Sequence, residues 1–226
     1  MMDDLLREQL AYYRARAKEY DESIQGIGSP DGAEPELESA NPEWLHIVKA
    51  LHALAPLGDV LELACGTGIW TKELIPISHS ITAIDGSAEM IQINRAKCGE
   101  AGVEYQCIDL FRWEPEKQYD LVFFAFWLSH VPPSHLSSFL SKVVRATKPG
   151  GRVLMIDEPR SDSNISGSNT EGLYQQRTLH DGSSFRIVKV YYDPRDVEME
   201  LLKQGFKKHS SMIGRAFFSL CVSRGV

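Results

Sequence analysis

From Asp4 to Ser23, apolar and aromatic residues recur at spacings of three and four: Leu6, Leu10, Tyr13, Ala17, Tyr20 and, just beyond, Ile24. That is the period of an amphipathic helix. A second helix is predicted to start at Pro42, with Asn41 as its N-cap, and to end before Pro56. The pattern then changes. Short runs rich in Val, Ile, Leu and Phe predict strands over 58–64, 80–85, 103–107, 119–126 and 151–157. Helical patterns fall between them at 69–75, 87–97 and 134–146, with Ser87 and Ser134 as N-caps. Such alternation predicts an α/β fold, a parallel sheet with helices on both faces. After Glu158 a Ser/Asn/Gly-rich stretch runs to Gly172 and reads as a mobile loop. Residues 175–192 read as a hairpin turning at Asp181-Gly182. A helix over 194–204 and strands near 206–212 and 216–223 complete the chain.

Composition narrows this picture. The chain has 226 residues, 43% of them hydrophobic, enough for one domain with a full core. No run approaches the roughly 18 apolar residues of a membrane helix. The acidic start MMDDLLREQL is unlike a secretory signal. Four scattered cysteines, Cys65, Cys98, Cys107 and Cys221, form no C-x-x-C pair, which favours reduced thiols in the cytoplasm over disulfides or a metal site. Cys65 reads as small structural filler. Charge is uneven: residues 1–43 hold 11 acids and 4 bases, and the other 183 residues hold 20 of each. No basic stripe offers a nucleic-acid footprint. The tract from Asp31 to Ser39 reads as a solvated linker.

The stretch VLELACGTGIW, Val60 to Trp70, carries the chemistry. A strand leads into Gly66-Thr67-Gly68 and then a helix, the place where open α/β sheets bind ligands. A dinucleotide fingerprint needs a third glycine where this chain has Thr71. What stands here is E-x-x-x-G-x-G, Glu62 to Gly68, which resembles motif I of the class I S-adenosylmethionine-dependent methyltransferases. Three further segments fit that family in order and spacing. SITAID ends at Asp85, 17 residues beyond Gly68; VEYQCID ends at Asp109; and Lys148-Pro149-Gly150-Gly151 precedes RVLMID. The resemblance covers about Gly58 to Asp157, and is to small-molecule enzymes with a methyltransferase domain of the 11/25 type.

The resemblance implies a Rossmann-like, seven-stranded, mostly parallel sheet of order 3-2-1-4-5-7-6 with strand 7 antiparallel. It implies one domain over 1–226: an N-terminal helical arm at 1–56, a cofactor-binding core at 57–157, a loop and hairpin at 158–193, and a helix with the antiparallel pair at 194–226. S-adenosylmethionine would be the cofactor and S-adenosylhomocysteine its product. Tyr13, Glu62, Ala64, Gly66, Thr67, Gly68, Asp85, Gly86, Met90, Asp109, Leu110, Phe111 and Phe126 would line its site, Asp85 on the ribose and Asp109 on the adenine. The acceptor would be a small molecule methylated on O or N. No nucleic acid, membrane or metal is implied, and the chain is expected to act as a monomer or homodimer. An NAD(P)-dependent oxidoreductase and a non-catalytic S-adenosylmethionine-binding module are the alternatives.

Catalytic candidates follow from position. His130, just past the fourth strand, is either a general base or a residue that bonds locally or touches the cofactor. Tyr13 and Tyr20, seven apart on the arm helix, either approach the sulfonium or pack. Asp157 and Glu158 end the fifth strand, one to face the pocket and handle a proton or pair with an amine, the other to cap a turn. Trp127 is a substrate wall or core. Arg177, His180, Arg186 and Lys189 on the hairpin either bind an anionic substrate or face solvent.

Overall fold

The computed structural model describes residues 2–24, 41–160 and 173–225. The elements are α1 (Met2–Arg16), α2 (Tyr20–Ile24), α3 (Pro42–His52), β1 (Leu57–Leu63), α4 (Ile69–Leu74), β2 (Ser78–Asp85), α5 (Ala88–Cys98), β3 (Val103–Cys107) and β4 (Tyr119–Ala125). They continue with α6 (Pro133–Ala146), β5 (Thr147–Asp157), β6 (Tyr174–Thr178), β7 (Ser184–Val188), α7 (Pro194–Lys203), β8 (Phe206–Ile213) and β9 (Phe218–Arg224).

Seven strands form one sheet in the order β3-β2-β1-β4-β5-β9-β8. β1 to β5 are parallel, and β9 runs antiparallel to both its neighbours. This is the expected Rossmann-like order, because the hairpin β6–β7 forms a separate two-stranded sheet and takes the sixth and seventh places in the chain. The central strands are apolar at nearly every position because both faces are covered. Leu61, Leu63, Val122, Phe124, Val153 and Met155 pack with Phe139, Leu140 and Val143 of α6. Their sequence neighbours Val60, Leu121, Phe123, Leu154 and Ile156 pack on the other face with Trp44 and Ile47 of α3 and Trp70 and Leu74 of α4. Alternating residues thus serve alternate faces. Each fully buried side chain of this kind contributes about 1.5–3 kcal/mol.

Local chemistry sets most boundaries. Asn41 caps α3 by accepting from Glu43 N–H, with Pro42 in the first turn. Ser87 caps α5 by accepting from Met90 N–H. Three expectations need correction. The cap of α6 is Pro132, not Ser134, and the helix begins at Pro133, whose missing N–H costs nothing at a first helical position. The arm is two helices, not one. After Arg16 the chain tightens, with Glu19 N–H donating to Arg16 O at 2.8 Å, and α2 starts at Tyr20. Tyr13 and Tyr20 therefore share no helix face. β5 also starts earlier than expected, at Thr147, with the Pro149-Gly150 turn as an irregularity where the register against β4 shifts; Gly150 has φ 76.

The second sheet meets the arm. Tyr12, Leu179 and Ile187 form a small core with Tyr13 and Phe185 packed against it. Glu8 accepts from Arg186 through its backbone N–H, Nε and Nη2. Most of the expected loop at 159–172, and the expected linker from Asp31 to Ser39, lie outside the described residues. Among the described residues no helix is long and apolar enough to cross a membrane.

Candidate functional site

At the carboxyl ends of β1 and β4 two non-glycine residues sit in the left-handed region: Ala64 with φ 55 and Phe126 with φ 54. Each such backbone costs on the order of 1 kcal/mol, and strain of this kind collects at functional sites. The two strands are neighbours in the sheet, so both outliers open onto one edge, the crevice where α/β sheets bind ligands.

The glycine turn follows Ala64 and bonds to the end of β2. Gly66 has φ 50, and a Cβ added there would meet only Ala64 O, at 4.0 Å. Its face is open to a ligand. Gly68 is the opposite case. It has φ 92, and a Cβ there would lie 2.5 Å from Asn94 Oδ1 and 3.1 Å from Cys98 Sγ. Gly68 is needed for packing against α5, Gly66 for approach. The turn is held from below. Thr71 Oγ1–H donates to Glu62 Oε2 at 2.7 Å, and Asn94 Nδ2–H donates to Thr71 Oγ1 at 2.8 Å. Burial pushes the Glu62 carboxyl up to about 8, the Thr71 bond opposing and Asp85 adding to the shift. Thr71, the residue that breaks a dinucleotide fingerprint, thus has a support role of its own.

Asp85 ends β2 beside this turn. Gly66 N–H donates to its Oδ2 at 2.9 Å and Ser87 N–H to its Oδ1 at 2.8 Å. Burial raises its pKa, and the backbone N–H groups of Ser87, Gly66 and Gly86 pull the other way. Each oxygen keeps a lone pair for a ligand hydroxyl. Beyond β3, Asp109 Oδ1 accepts from Phe111 N–H at 3.0 Å, which fixes the turn carrying Leu110 and Phe111. Leu110 is buried, and Phe111 stacks at a tilt on Trp127, 5.4 Å between centroids. Trp127 Nε1–H is buried with no acceptor. Met90 is buried on α5. Leu10 of α1 reaches the turn at Gly86, where an added Cβ would come within 3.0 Å of its Cδ1.

A second cluster lies past β4. His130 is buried. Its Nδ1 is 2.7 Å from Val188 O, and its Nε2 is 2.7 Å from Tyr13 Oη. A carbonyl only accepts, so Nδ1 carries the proton and Nε2 accepts from Tyr13. Burial, then the charges of Lys189, Arg177 and Arg16, hold the His130 pKa well below its ordinary value, against the Val188 bond. The imidazole is neutral at physiological pH. Burial likewise keeps Tyr13 protonated. Tyr20 lies under the Arg16 guanidinium, 5.2 Å from Cζ to the ring centroid.

Asp157 is buried at the end of β5. Its Oδ2 accepts from Ser129 N–H and its Oδ1 from Glu158 N–H. Burial raises its pKa against the pull of Lys189. Glu158 Oε2 is 2.9 Å from Lys189 Nζ, which also donates to Ser129 Oγ at 3.2 Å. Burial works to neutralise Lys189, but Glu158 and Asp157 outweigh it and raise its pKa. Of the two expected pocket acids, Asp157 anchors backbone and Glu158 holds the lysine. Among the four basic hairpin residues, Lys189 is buried in this network. Arg186 is committed to Glu8, and His180 is exposed, 3.9 Å from Glu19. Arg177 differs: its Nε–H is buried without an acceptor, and it has no ion pair among the described residues.

The structure brings together more than the sequence singled out. Asp21 of α2 accepts from Thr67 Oγ1 at 2.6 Å and pairs with Lys97 of α5, tying the arm to the glycine turn. Gln9 contacts both β7 and His130. Its one sequence signal is a polar residue among the buried positions of α1.

Residues 60–151 match the family described as a methyltransferase domain. The chain is 37% identical to DhpI over 97–98% of both chains, seen in a DhpI–SAH complex with TM-score 0.77 and a DhpI–SAM–HEP complex with TM-score 0.79. Among curated proteins it is 30% identical over 115 residues to N-terminal Xaa-Pro-Lys N-methyltransferase 1-B of Xenopus laevis, covering 48% of this chain and 52% of that protein. It is 27% identical over 158 residues to the ubiquinone biosynthesis O-methyltransferase of Xanthomonas axonopodis pv. citri (strain 306), covering 68% and 64%. The chain spans about half the length of curated relatives that it matches.

Proposed function

This chain belongs to the class I S-adenosylmethionine-dependent methyltransferase superfamily, and from that premise we propose that it methylates an oxygen of a small anionic acceptor. The residues fit the cofactor: Gly66 leaves its backbone open, Asp85 keeps lone pairs for ribose hydroxyls, and Trp127 offers an unused N–H beside Phe111. Glu62, Ala64, Gly66, Thr67, Gly68, Asp85, Gly86, Met90, Asp109, Leu110, Phe111 and Phe126 would hold S-adenosylmethionine, which supplies an already activated methyl group. The chain's own contribution is then alignment and charge, and alignment alone is able to lower the barrier by ~7–11 kcal/mol.

The observation that carries the acceptor class is the field around the Tyr13–His130 pair. Lys189, Arg177 and Arg16 all place positive charge on it, and Arg177 has a buried donor without a partner. An oxyanion would satisfy Arg177 and offset that charge. A protonated amine would be repelled. An anionic oxygen has no proton to lose, so no general base is required, and a neutral His130 with a depressed pKa is no obstacle. In this reading His130 holds Tyr13, Asp157 and Glu158 position Ser129 and Lys189, and Tyr20 supports Arg16. DhpI binds HEP together with SAM in one of its complexes, which supports a second ligand beside the cofactor. The test is calorimetry with S-adenosylhomocysteine, then methyl transfer from labelled S-adenosylmethionine to carboxylic, phosphoric and phosphonic acids and to neutral alcohols and amines of matched size. Labelling confined to the acids is expected. Labelling of amines alone would refute the acceptor class, and absence of S-adenosylhomocysteine binding would refute the whole reading.

A further inference from the structure

Gln9 is buried on the inner face of α1, one helical turn before Tyr13. Its side chain closes a ring of three hydrogen bonds. Val188 N–H donates to Gln9 Oε1 at 2.9 Å, Gln9 Nε2–H donates to His130 O at 3.2 Å, and His130 Nδ1–H donates to Val188 O at 2.7 Å. Each bond has a backbone group at one end, an N–H that only donates or a C=O that only accepts. The direction around the ring is therefore unique. It fixes which end of the Gln9 amide faces which partner, and it fixes the proton of His130 on Nδ1.

That assignment propagates one step further. With Nδ1 protonated and the ring neutral, Nε2 has a lone pair and no proton. The 2.7 Å contact with Tyr13 Oη is then a bond donated by the phenol. Tyr13 has one O–H, and it is committed. What its oxygen has left is lone pairs. In the other tautomer Nε2–H would donate to Tyr13, and the phenol proton would be free to point elsewhere. The two tautomers give the same residue opposite hydrogen-bonding character.

We propose that Gln9 is a positioning residue that sets Tyr13 as an acceptor at the site, by locking His130 between α1 and the end of β7. Tyr13 then meets a cationic or hydrogen-donating part of the bound ligands, while the anion goes to Arg177, whose buried Nε–H has no acceptor. On the methyltransferase reading, on which this step rests, the positive group available is the sulfonium with its polarised methyl. The same three bonds join α1, the 128–130 turn and β7, so docking of the arm and assembly of the acceptor are one event. Seating the arm without Gln9 would leave His130 O and Val188 N–H without these bonds, a loss that buried polar groups resist.

The experiment compares the native chain with Gln9→Met, which keeps length and helix propensity, and Gln9→Glu, which keeps an acceptor for Val188 N–H and, read at a pH where the carboxyl is ionised, replaces the donor to His130 O by a negative charge. Long-range ¹⁵N–¹H correlation of the His130 ring reads the tautomer directly, without ligand and without activity. The native ring is expected to show protonated Nδ1 and bare Nε2, and both variants a mixture of tautomers. Calorimetry then gives the ratio of affinities for S-adenosylmethionine and S-adenosylhomocysteine, which differ at the sulfonium. That ratio is expected to fall roughly three- to tenfold in both variants and in Tyr13→Phe, the scale of one hydrogen bond. A merely structural role for Gln9 would weaken both ligands equally and leave the ratio unchanged. A native ring with bare Nδ1, or a single native-like tautomer in the folded variants, overturns the proposal. If Gln9→Met does not fold, Gln9→Glu decides by the same spectra. Failure of the native chain to bind either ligand would strike the functional reading and leave the tautomer result standing.

Discussion

Glu62→Gln should remove a pH-dependent weakness from the ligand-free fold. Glu62 is 1% exposed, accepts from Thr71 and has its carboxyl pushed up to about 8, chiefly by burial. In the unfolded chain the same group titrates near its ordinary 4.5. Below about pH 4.5 it is protonated in both states and contributes no pH dependence. Between 4.5 and 8 the unfolded chain has lost the proton and the folded chain keeps it, so stability falls by about 1.4 kcal/mol per pH unit. At pH 7 the accumulated cost is about 3 kcal/mol. Glutamine keeps the shape and an oxygen for the Thr71 hydroxyl, and it does not titrate. Urea unfolding of both proteins at half-unit steps from pH 4.5 to 8.5 gives the two stability curves. Their difference isolates Glu62 from Asp85 and Asp157, whose raised pKa values act in the same direction. It should open steadily with pH and reach about 3 kcal/mol in favour of the variant near pH 7. Parallel curves would mean that Glu62 is ionised in the fold.

Three further substitutions probe the turn and the arm. Asp85→Ala should weaken S-adenosylhomocysteine binding by ~2–3 kcal/mol, the scale of bonds to a charged group, and unchanged affinity by calorimetry would remove Asp85 from the site. Gly68→Ala forces a Cβ into Asn94 at a left-handed φ and should lower stability by ~1–3 kcal/mol; a native melting temperature would show that α5 gives way. Asp21→Ala cuts the tie from α2 to Thr67 and Lys97, so hydrogen exchange of residues 8–22 should quicken while the sheet stays protected, and equal protection would place the anchor elsewhere.

The sequence determined the parallel sheet with its covering helices and the place of the glycine turn, while its strand order came from the family resemblance. The sheet and the turn are written locally. The continuous apolar runs of β1, β4 and β5, the caps at Asn41 and Ser87, and the glycine turn each rest on residues close together in the chain. Glu62, Asp85 and Asp109 stood out as candidates for the same reason, each lying in, at the end of or just past a strand. The tertiary structure alone decided the second half of the site. His130 is a plausible base by its position, and only the approach of Val188, Lys189 and Arg177 from a hairpin some 50 residues later makes it a neutral acceptor. Tyr13 and Tyr20 look equivalent by spacing, yet the break before Tyr20 separates them, coinciding with the tie of Asp21 to Thr67 across 46 positions. Gln9 bears no motif at all. Its role exists because its amide bonds backbone groups 121 and 179 residues away. Hydrophobic period and turn chemistry act through neighbours in the chain, whereas the protonation state and polarity of a buried group are set by whatever the fold packs against it.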